Sequence, residues 1–325
     1  MNTPATRMAF GKELLKIAET NENFVLCNAD TKTCGLEAFG KRYPHREFSF
    51  GIAEQNLIGG AAGLAACGNK VFLATFGVFA SMRACEQVRT FVCYPNLNVT
   101  IIGTHAGLQV GGDGATHAAI EDVSIMRSFP NMTVVQPADA VSARALAHAA
   151  VDFTGPLYIR LHRNPVPDIY GADYRFTFGK ARMVTDYGSD LTMIVSGILL
   201  GKALEAAEIL KERGIGVRVV DMATIKPLDG EAVIRAAKET GAIMTIEDHT
   251  VLGGLGSAVS EVVVQNCPVP MTLVGIQDRF GESGDPELLY RDHGMDTDSI
   301  VQKAEKLIKV KVDIRGFCSI MGCGK

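Results

Sequence analysis

The sequence predicts an α/β protein made of two doubly wound domains with mainly parallel sheets. Short apolar runs alternate along the chain with Ala-rich segments of helical spacing, which is typical of βαβ units. The runs are apolar throughout, as expected when helices cover both faces of a sheet. The chain has 325 residues, and this length accommodates about two domains.

The first predicted domain covers residues 1–170. Its strand candidates are short and β-rich, and most of them are followed by a segment with helical periodicity. We expect strands at Phe24–Cys27, Glu47–Phe50, Val71–Thr75, Val99–Gly103, Thr133–Gln136 and Leu157–Leu161, and helices at Glu54–Ala66, Phe79–Val92, Ile120–Arg127 and Ala140–Val151.

A stretch rich in Pro, Tyr and Asp, Asn164–Tyr174, interrupts the alternation and predicts a linker. The second predicted domain covers residues 180–311, and residues 312–325, with Cys318 and Cys323, are predicted to be a tail. The strands of this domain are expected at Leu191–Val195, Gly216–Val220, Ala242–Ile246 and Met271–Val274, and its helices at Gly201–Arg213, Asp229–Glu239 and Leu255–Val264.

Composition excludes several classes of protein. Lys and Arg number 32 and Asp and Glu 36, so a net charge of −4 gives no general attraction to nucleic acid or to an anionic membrane. No apolar run reaches the roughly 18 residues of a membrane helix, and the start lacks a secretory signal. Eight cysteines are dispersed, several within apolar runs, as in reduced intracellular proteins. We expect a soluble cytoplasmic protein.

Two segments place functional residue types directly after predicted strands, where ligands bind in open α/β sheets. Glu54 opens a helix rich in Gly and Ala, where a carboxylate either caps the helix or serves a site near the positive end of its dipole. Phe76, Phe79 and Met82 form an apolar stripe, which fits either the core or a flat wall for an aromatic heterocycle.

A polar loop follows the fourth predicted strand. Residues 103–117 contain five glycines, one aspartate and two histidines, a composition that suits a loop over a site. The spacing lacks the compact ligand pattern of a zinc site, and we predict no metal site in this chain. Arg160, His162 and Arg163 end the sixth strand and indicate either an anion site or a solvated basic edge.

The chain resembles one family over roughly residues 5–310, the thiamine-diphosphate enzymes of the transketolase type. Three segments carry the resemblance in the family's order and spacing: Phe50-Gly51-Ile52-Ala53-Glu54, Thr75-Phe76-Gly77-Val78-Phe79, and the loop from His105 to His117. The resemblance implies a pyrimidine-binding domain followed by a transketolase C-terminal domain. Gly112-Asp113-Gly114 is not the family's metal–diphosphate motif, because the required downstream helix and Asn are missing; Asn131 comes too soon and precedes a strand.

The resemblance implies a coenzyme-binding set. Glu54 corresponds to the glutamic acid that bonds a ring nitrogen of the coenzyme, and its carboxyl group must share or donate a proton, which burial favours. Phe76 and Phe79 correspond to the residues that stack on the pyrimidine ring. Met82 stands where transketolases usually carry a third aromatic, and Asp30 corresponds to an aspartate of the cofactor region.

The resemblance also implies a substrate-binding set. Arg7, His105 and Arg163 correspond to the groups that hold the sugar phosphate. Cys34 stands where the family has a serine of that phosphate site, and a thiol is a poorer hydrogen-bond donor. The anion is therefore expected to be held differently or not to be an ordinary sugar phosphate.

Asp113 and His117 correspond to residues that bond the hydroxyls near the reacting carbon. The resemblance therefore implies that Glu54, His105 and His117 are catalytic, with Glu54 activating the coenzyme and the histidines assisting proton transfer.

The sequence begins at the pyrimidine-binding domain. We therefore expect thiamine diphosphate to be shared with a separate diphosphate-binding subunit that also binds Mg²⁺ or Ca²⁺, in an α2β2 assembly with a β–β contact. The expected reaction transfers a two-carbon ketol unit from a ketose to an aldose, both phosphorylated, as in the interconversion of pentose phosphates.

Three alternatives stay open at this stage. Two are enzymes of related reactions, a deoxyxylulose-phosphate synthase-like subunit and an oxo-acid dehydrogenase β-like subunit, and the two-histidine loop favours sugar handling over both. The third is a non-catalytic binding protein of the same fold, which would not need Glu54, Phe76, Phe79, Asp113 and His117 as a set.

Overall fold

The computed structural model describes residues 3–30 and 34–320, with side chains described as far as residue 312. In these residues the first sheet has seven strands in the order β10-β5-β6-β4-β3-β1-β2, and only β10 runs antiparallel to its neighbour. Its strands from the first half of the chain are β1 (Phe24–Asn28), β2 (Glu47–Ser49), β3 (Lys70–Phe76), β4 (Val99–Thr104), β5 (Thr133–Val135) and β6 (Leu157–Arg160).

Helices cover both faces of this sheet, so its central strands are buried over almost their whole length. A helical segment with π-type turns at Phe79–Arg83 and Val88–Cys93 follows β3. The α-helices are α1 (Thr6–Ile17), α2 (Phe39–Arg42), α3 (Glu54–Ala66), α4 (Cys85–Gln87), α5 (Asp122–Ser128) and α6 (Ala140–Asp152).

The second sheet has five strands within the part of the chain that the structure describes, in the order β12-β11-β8-β9-β7. Only β7 is antiparallel, at the edge next to β9. The remaining strands are β7 (Arg182–Asp186), β8 (Leu191–Val195), β9 (Val217–Asp221), β10 (Thr224–Lys226), β11 (Ile243–Thr250) and β12 (Met271–Ile276), and the helices are α7 (Leu200–Glu212), α8 (Gly230–Thr240), α9 (Leu255–Asn266), α10 (Pro286–Asp292) and α11 (Thr297–Ile320).

The predicted fold class, two doubly wound α/β units with mainly parallel sheets, is confirmed. The predicted strands are present with small shifts at their ends, whereas the antiparallel edge strands β7 and β10 were missed. β10 follows β9 in the chain but adds to the first sheet beside β5, so one strand of the second half completes the sheet of the first.

α11 continues to Ile320, so the described part of the predicted tail is helical, and the boundary at residue 312 stays a prediction. The first turns of α11 bury Ile300, Val301, Ala304 and Leu307. A helix anchored in this way propagates by one hydrogen bond per added residue without needing further apolar positions. The side chain of Cys318 and the whole of Cys323 lie outside the described residues.

No helix in the described ranges is both long enough and apolar enough to cross a membrane.

Candidate functional site

The register of two central strands creates the site. β3 and β4 are parallel neighbours, and Phe76 at the end of β3 pairs with Thr104 at the end of β4. His105, the next residue, therefore comes beside Phe76, and their ring centroids are 3.9 Å apart with an interplanar angle of 30°. The carboxyl ends of adjacent parallel strands thus bring the aromatic segment and the polar loop together, as expected for an open α/β sheet.

Phe76 and Phe79 form a parallel aromatic pair. Their ring centroids are 5.7 Å apart and the planes differ by 11°. The ring of His117 stands edge-on to both, at 5.7 Å and 5.5 Å. Both phenylalanines are only partly buried, so the pair is a wall exposed at the site rather than part of the core.

Glu54 is the first residue of α3 and is only 2% exposed. Arg83 Nη1 donates a hydrogen bond of 2.7 Å to Glu54 Oε2, and the guanidinium carbon of Arg83 lies 4.1 Å from the centroid of Phe79. Ala53 is the N-cap residue and no side chain caps the helix by a hydrogen bond. The carboxyl group therefore pairs with Arg83, which also contacts Phe79, and the capping interpretation of Glu54 is not supported.

Small residues allow α3 to reach this position. A side chain on Gly60 would come within 2.3 Å of the Phe50 ring, in the segment that leads into the helix. Glycine therefore lets the helix pack closely against the turn before Glu54.

His105 is a buried, neutral imidazole. It is 3% exposed, and burial together with the positive charges of Arg7 and Arg163 lowers its pKa to about 3. Thr104 Oγ1 lies 2.9 Å from His105 Nδ1 and 3.3 Å from the Thr75 carbonyl oxygen, which can only accept. Both contacts are satisfied when Nδ1–H donates to the Thr104 hydroxyl and that hydroxyl donates to Thr75. In this arrangement Nε2 carries the lone pair.

Two arginines flank His105 on the side of the polar loop. Arg163 Nη1 donates to Asp113 Oδ2 at 2.8 Å and to the Val110 carbonyl oxygen at 2.9 Å. Arg7 Nε donates to the carbonyl oxygen of Arg163 at 3.3 Å. Burial and the charge of Arg163 lower the pKa of Arg7. The predicted anion-binding residues therefore converge, although Asp113 neutralises part of the positive charge.

Cys34 joins this group as a buried, neutral thiol. Its side chain is 1% exposed, and burial raises its pKa to about 12. A side chain on Gly11 of α1 would overlap the Cys34 carbonyl oxygen, so Cys34 packs directly against the helix that carries Arg7. The exposed Glu37 acts on both Arg7 and Cys34 electrostatically.

For two residues of the predicted coenzyme-binding set, Met82 and Asp30, the structure gives a position but no described contact with Glu54, Phe76 or Phe79. Met82 lies in the turn between Phe79 and Arg83 with 44% of its side chain exposed. Asp30 follows β1 with a positive φ of 57°, and its backbone N–H donates to Asn28 Oδ1 at 3.0 Å. The roles of these two residues stay predictions.

The interpretation of Arg160 and His162 as a basic edge or anion site is wrong, because both side chains are fully buried. Arg160 Nε donates to both carboxylate oxygens of Asp122, at 3.0 Å and 2.9 Å, and His162 Nε2 lies 3.7 Å from Asp248 Oδ2. The cluster belongs to the contact between the two halves of the chain. Of the three basic residues, only Arg163 lies at the site.

Sequence reasoning missed Arg83, although a signal was present. Arg83 stands four residues after Phe79 in the same helical segment, the spacing at which two side chains share a helix face. No group of three or more His, Cys, Asp or Glu side chains that could hold a metal ion occurs within the described ranges.

Comparison with known proteins identifies this arrangement. Residues 2–168 match the transketolase pyrimidine-binding domain, and residues 179–300 match the transketolase C-terminal domain. The chain belongs to the transketolase family. The predicted resemblance is thereby confirmed.

Relatives of similar length are named as parts of split transketolases. A putative transketolase C-terminal section of Methanocaldococcus jannaschii is 42% identical, over 93% of this chain and 96% of its own length. A 6-deoxy-6-sulfo-D-fructose transketolase subunit of Clostridium sp. is 42% identical over 92% of both chains. A solved structure described as a split gene transketolase, inactive β4 tetramer, superimposes with a TM-score of 0.88 at 45% identity, over 95% of this chain and 99% of that one.

The predicted enzyme class is confirmed: this transketolase is one subunit of a split enzyme. These relatives favour the transketolase interpretation over the deoxyxylulose-phosphate synthase-like, oxo-acid dehydrogenase β-like and non-catalytic alternatives.

Proposed function

We propose that this transketolase subunit provides the pyrimidine side of a thiamine-diphosphate site and the sugar-binding loop for ketol transfer. The reaction moves a two-carbon ketol unit from a phosphorylated ketose to an aldose. The observation that carries the proposal is the Phe76–Phe79 pair, whose rings are 5.7 Å apart with planes that differ by 11°. The ring of His105 stacks on Phe76, and Arg83 connects Phe79 to the buried carboxyl group of Glu54.

The residues present fit the coenzyme. A pyrimidine ring offers two flat faces and polar ring nitrogens, which need an apolar wall and a hydrogen-bonding carboxyl group. Phe76 and Phe79 supply the wall, and Glu54 supplies the carboxyl group. When bound, thiamine diphosphate supplies the carbon nucleophile that attacks the ketose carbonyl.

Glu54 would hold a proton on its carboxyl group, at the edge of the pyrimidine ring. Arg83 Nη1 donates to Glu54 Oε2 at 2.7 Å, which leaves Oε1 as the oxygen that can face the pyrimidine ring. Met82 and Asp30 complete the proposed coenzyme-binding set at its border.

His105 and His117 would handle protons of the sugar hydroxyls. The depressed pKa of His105 keeps its ring neutral, so Nε2 can accept a hydrogen bond from a hydroxyl. A bound anion would offset the charges of Arg7 and Arg163 that lower this pKa, which would favour proton uptake by the ring. His117 stands edge-on to both phenylalanine rings, and Asp113 extends from the same loop, so both can bond hydroxyls near the reacting carbon.

Arg7 and Arg163 would hold the anionic end of the sugar. Two guanidinium groups close together disfavour each other's charge, and a bound dianion relieves this repulsion. The anion must compete with Asp113 for Arg163. Cys34, as a neutral thiol in place of the serine expected from the resemblance, offers a weaker donor.

The identity of the anion has two candidates. The Clostridium relative is named for a sulfonated sugar, and a sulfonate carries one negative charge where a phosphate carries up to two. The Asp113–Arg163 pair and the weak donor Cys34 reduce the demand for a dianion. We therefore include a sulfonated ketose as a second donor candidate beside phosphorylated ketoses.

We propose that a separate diphosphate-binding subunit completes the enzyme and carries Mg²⁺ or Ca²⁺, in an α2β2 assembly with a β–β contact. The β4 tetramer of the split-gene structure is described as inactive, in keeping with a second required subunit. Large apolar side chains in the turn before Glu54 and in the helical segment after Arg83 are exposed in the single chain and offer a surface for such contacts: Ile52, Phe91 and Tyr94 are 77%, 45% and 85% exposed. The six cysteines whose side chains the structure describes are unpaired, as expected for the proposed cytoplasmic location.

Co-expression with diphosphate-binding subunits tests the proposal. We expect thiamine-diphosphate-dependent ketol transfer from phosphorylated ketoses, with the sulfonated ketose as a comparison. Full activity of this chain alone would exclude the split-site proposal, and a coenzyme-independent activity of the pair would exclude the coenzyme role.

The domain boundaries at residues 1–170, 180–311 and 312–325 remain proposals. Asp139 fixes the linker between the first two proposed domains, because its Oδ2 accepts hydrogen bonds from the backbone N–H groups of Ile169 and Tyr170 at 2.7 Å and 2.9 Å.

A further inference from the structure

The polar loop that carries His105, Asp113 and His117 is packed against the C-terminal half of the chain. Its middle forms a short 3₁₀ segment, Leu108–Asp113, in which residues 108–111 are buried. The backbone N–H of Leu108 donates to Asp248 Oδ1 at 2.9 Å, across 140 positions in the sequence. The loop therefore takes its position from the second domain as well as from β4, which precedes it.

Asp248 is itself held rigidly. It lies in β11 with 1% of its surface exposed, and Tyr290 donates its hydroxyl proton to Asp248 Oδ2 at 2.8 Å. Arg160 Nη2 donates to the backbone carbonyl oxygen of Asp248 at 2.9 Å, while its Nε binds Asp122 in the first domain. Each oxygen of the carboxylate thus has its own donor, and the backbone of the residue is fixed by a third.

The loop backbone is shaped for this carboxylate. Gly107 has a φ of +66°, and a side chain at this position would come within 2.1–2.5 Å of the carboxylate atoms of Asp248. Glycine is required both for the backbone conformation and for the close approach. Two adjacent loop residues therefore depend on Asp248 in different ways: Leu108 donates a hydrogen bond to it, and Gly107 leaves room for its carboxylate.

We infer that Asp248 is a positioning residue for the reaction. This inference rests on the proposed function. Through Leu108, it holds the loop so that His105 and His117 stand against the Phe76–Phe79 pair and Asp113 reaches Arg163. Holding reacting groups in place before substrate arrives removes an entropic cost from the barrier. The second domain then contributes to sugar binding without touching the sugar.

A purely structural role makes a different prediction, because Asp248 also joins the two halves of the chain. Asp221 is a matched control: it is 1% exposed, ends β9 of the same sheet, and accepts a hydrogen bond of 2.6 Å from the hydroxyl of Tyr170. It is likewise a buried carboxyl group bonded to a tyrosine hydroxyl, but its Oδ1 has no hydrogen-bond partner and it makes no hydrogen bond to the loop. If Asp248 only joins the two halves, Asp248→Ala and Asp221→Ala should change hydrogen exchange in the loop equally.

Hydrogen exchange of the full chain alone tests the loop contact without any activity. We expect Asp248→Ala to speed exchange in residues 105–117 by about 10- to 100-fold, the effect of one lost hydrogen bond to a charged group, whereas Asp221→Ala leaves this segment as in the wild type. Asp248→Asn should restore most of the protection, because its amide oxygen accepts from Leu108. Equal exchange in both alanine variants would overturn the inference.

Kinetics of the reconstituted enzyme test the consequence. We expect Asp248→Ala to raise the KM for the ketose and to lower kcat/KM by about 100-fold. The half-saturating coenzyme concentration of this variant should stay within about twofold of the wild-type value. Asp248→Asn should have kinetic constants close to those of the wild type. A loss of active enzyme with unchanged KM would show a structural role and overturn the inference. If no variant and no wild type transfers a ketol unit but the exchange pattern holds, the proposed function fails and the loop-holding role of Asp248 stands.

Gly107→Ala provides a second variant should Asp248→Ala fail to fold. It leaves Asp248 intact and pushes the loop away from the carboxylate. The same rise in loop exchange and in KM is expected, and wild-type values for both would overturn the inference.

Discussion

Arg83 Nη1 donates a 2.7 Å hydrogen bond to Glu54 Oε2, and its guanidinium carbon stacks 4.1 Å from the centroid of Phe79. One side chain therefore contacts both the carboxyl group and the aromatic wall of the proposed coenzyme site. The Arg83 side chain is 47% exposed, whereas Glu54 is almost fully buried. The arginine can consequently swing into solvent when another group approaches Glu54, whereas the glutamate cannot move away.

Replacing Glu54 tests its role in activating the coenzyme. We expect Glu54→Gln to lower kcat by about 10²- to 10⁴-fold, the range for loss of a proton-transferring group, while the coenzyme still binds between the aromatic residues and the partner. Transfer rates and coenzyme titration of the reconstituted enzyme measure the two effects. Glu86→Gln, an exposed position on the following helix, is the control and should leave the rate unchanged. A rate for Glu54→Gln within twofold of wild type would refute the assignment.

Replacing Arg83 tests the ion pair. Arg83→Met leaves the buried carboxylate of Glu54 without its cation, which is destabilising. Because solvent screens the half-exposed guanidinium, we expect a loss of only about 1 kcal/mol in the free energy of unfolding. Urea denaturation of the full chain at neutral pH measures it, with the exposed Arg89→Met as control. Equal stability of the two variants would show that the ion pair contributes nothing.

The depressed pKa of His105 predicts a pH dependence of stability. Its pKa is about 3 in the folded chain and about 6.5 when unfolded. Between pH 6.5 and pH 3, the His105 side chain is therefore protonated in the unfolded chain and neutral in the folded chain. The contribution of His105 to the free energy of unfolding is complete above pH 6.5 and is lost as the pH falls towards 3.

The variant His105→Gln removes this titration. We expect the slope of unfolding free energy against pH, between pH 4 and 6, to decrease by up to about 1.4 kcal/mol per pH unit, which corresponds to one proton. Denaturant unfolding across that range provides the measurement, and the exposed His45→Gln provides the control. An unchanged slope in His105→Gln would mean that the imidazole is already protonated in the folded chain.

Replacing Arg163 tests the anion site. Arg163→Met removes one guanidinium beside Arg7 and releases Asp113. Because a hydrogen bond to a charged group is worth about 1.5–3 kcal/mol, we expect the KM for a phosphorylated ketose to rise by about 10- to 100-fold. The KM for an unphosphorylated ketose should change little. The control is the exposed Arg175→Met, and an equal rise for both ketoses would place the anion elsewhere.

The central strands of the fold could be predicted because their residues carry their own evidence. Val99–Thr104 of β4 and Leu191–Val195 of β8 are buried along their whole length, so apolar residues and small or β-branched ones fill both sequences and no charged residue interrupts them. β7 is an antiparallel edge strand with exposed residues, and β10 has only three residues and pairs with a strand of the other half. Neither leaves a local pattern, because their pairing is decided by tertiary contacts.

The site was predictable only in part. Glu54, Phe76, Phe79, His105 and His117 were predicted because each belongs to a segment near a strand end that resembles the family. The structure places the four rings in contact and links Glu54 to Phe79 through Arg83, and the roles of these residues stay predictions.

Contacts between residues that are far apart in the chain could not be predicted from the sequence. Arg160 was interpreted as part of an anion site or of a solvated basic edge, since the sequence does not reveal that Asp122, 38 positions away, lies buried beside it. Asp248 stands two residues after the predicted strand Ala242–Ile246, where strand ends place ligand-binding groups, yet its partner Leu108 lies 140 positions earlier.

Reconstitution from separately purified subunits tests the central claim most directly. This chain is mixed with increasing amounts of its diphosphate-binding partner at saturating thiamine diphosphate, and the rate of ketol transfer is followed. The account predicts no transfer by either chain alone, a rate that saturates at one partner per chain, and no transfer when the chain carries Glu54→Gln. Transfer by this chain alone, or an undiminished rate with Glu54→Gln, would contradict it.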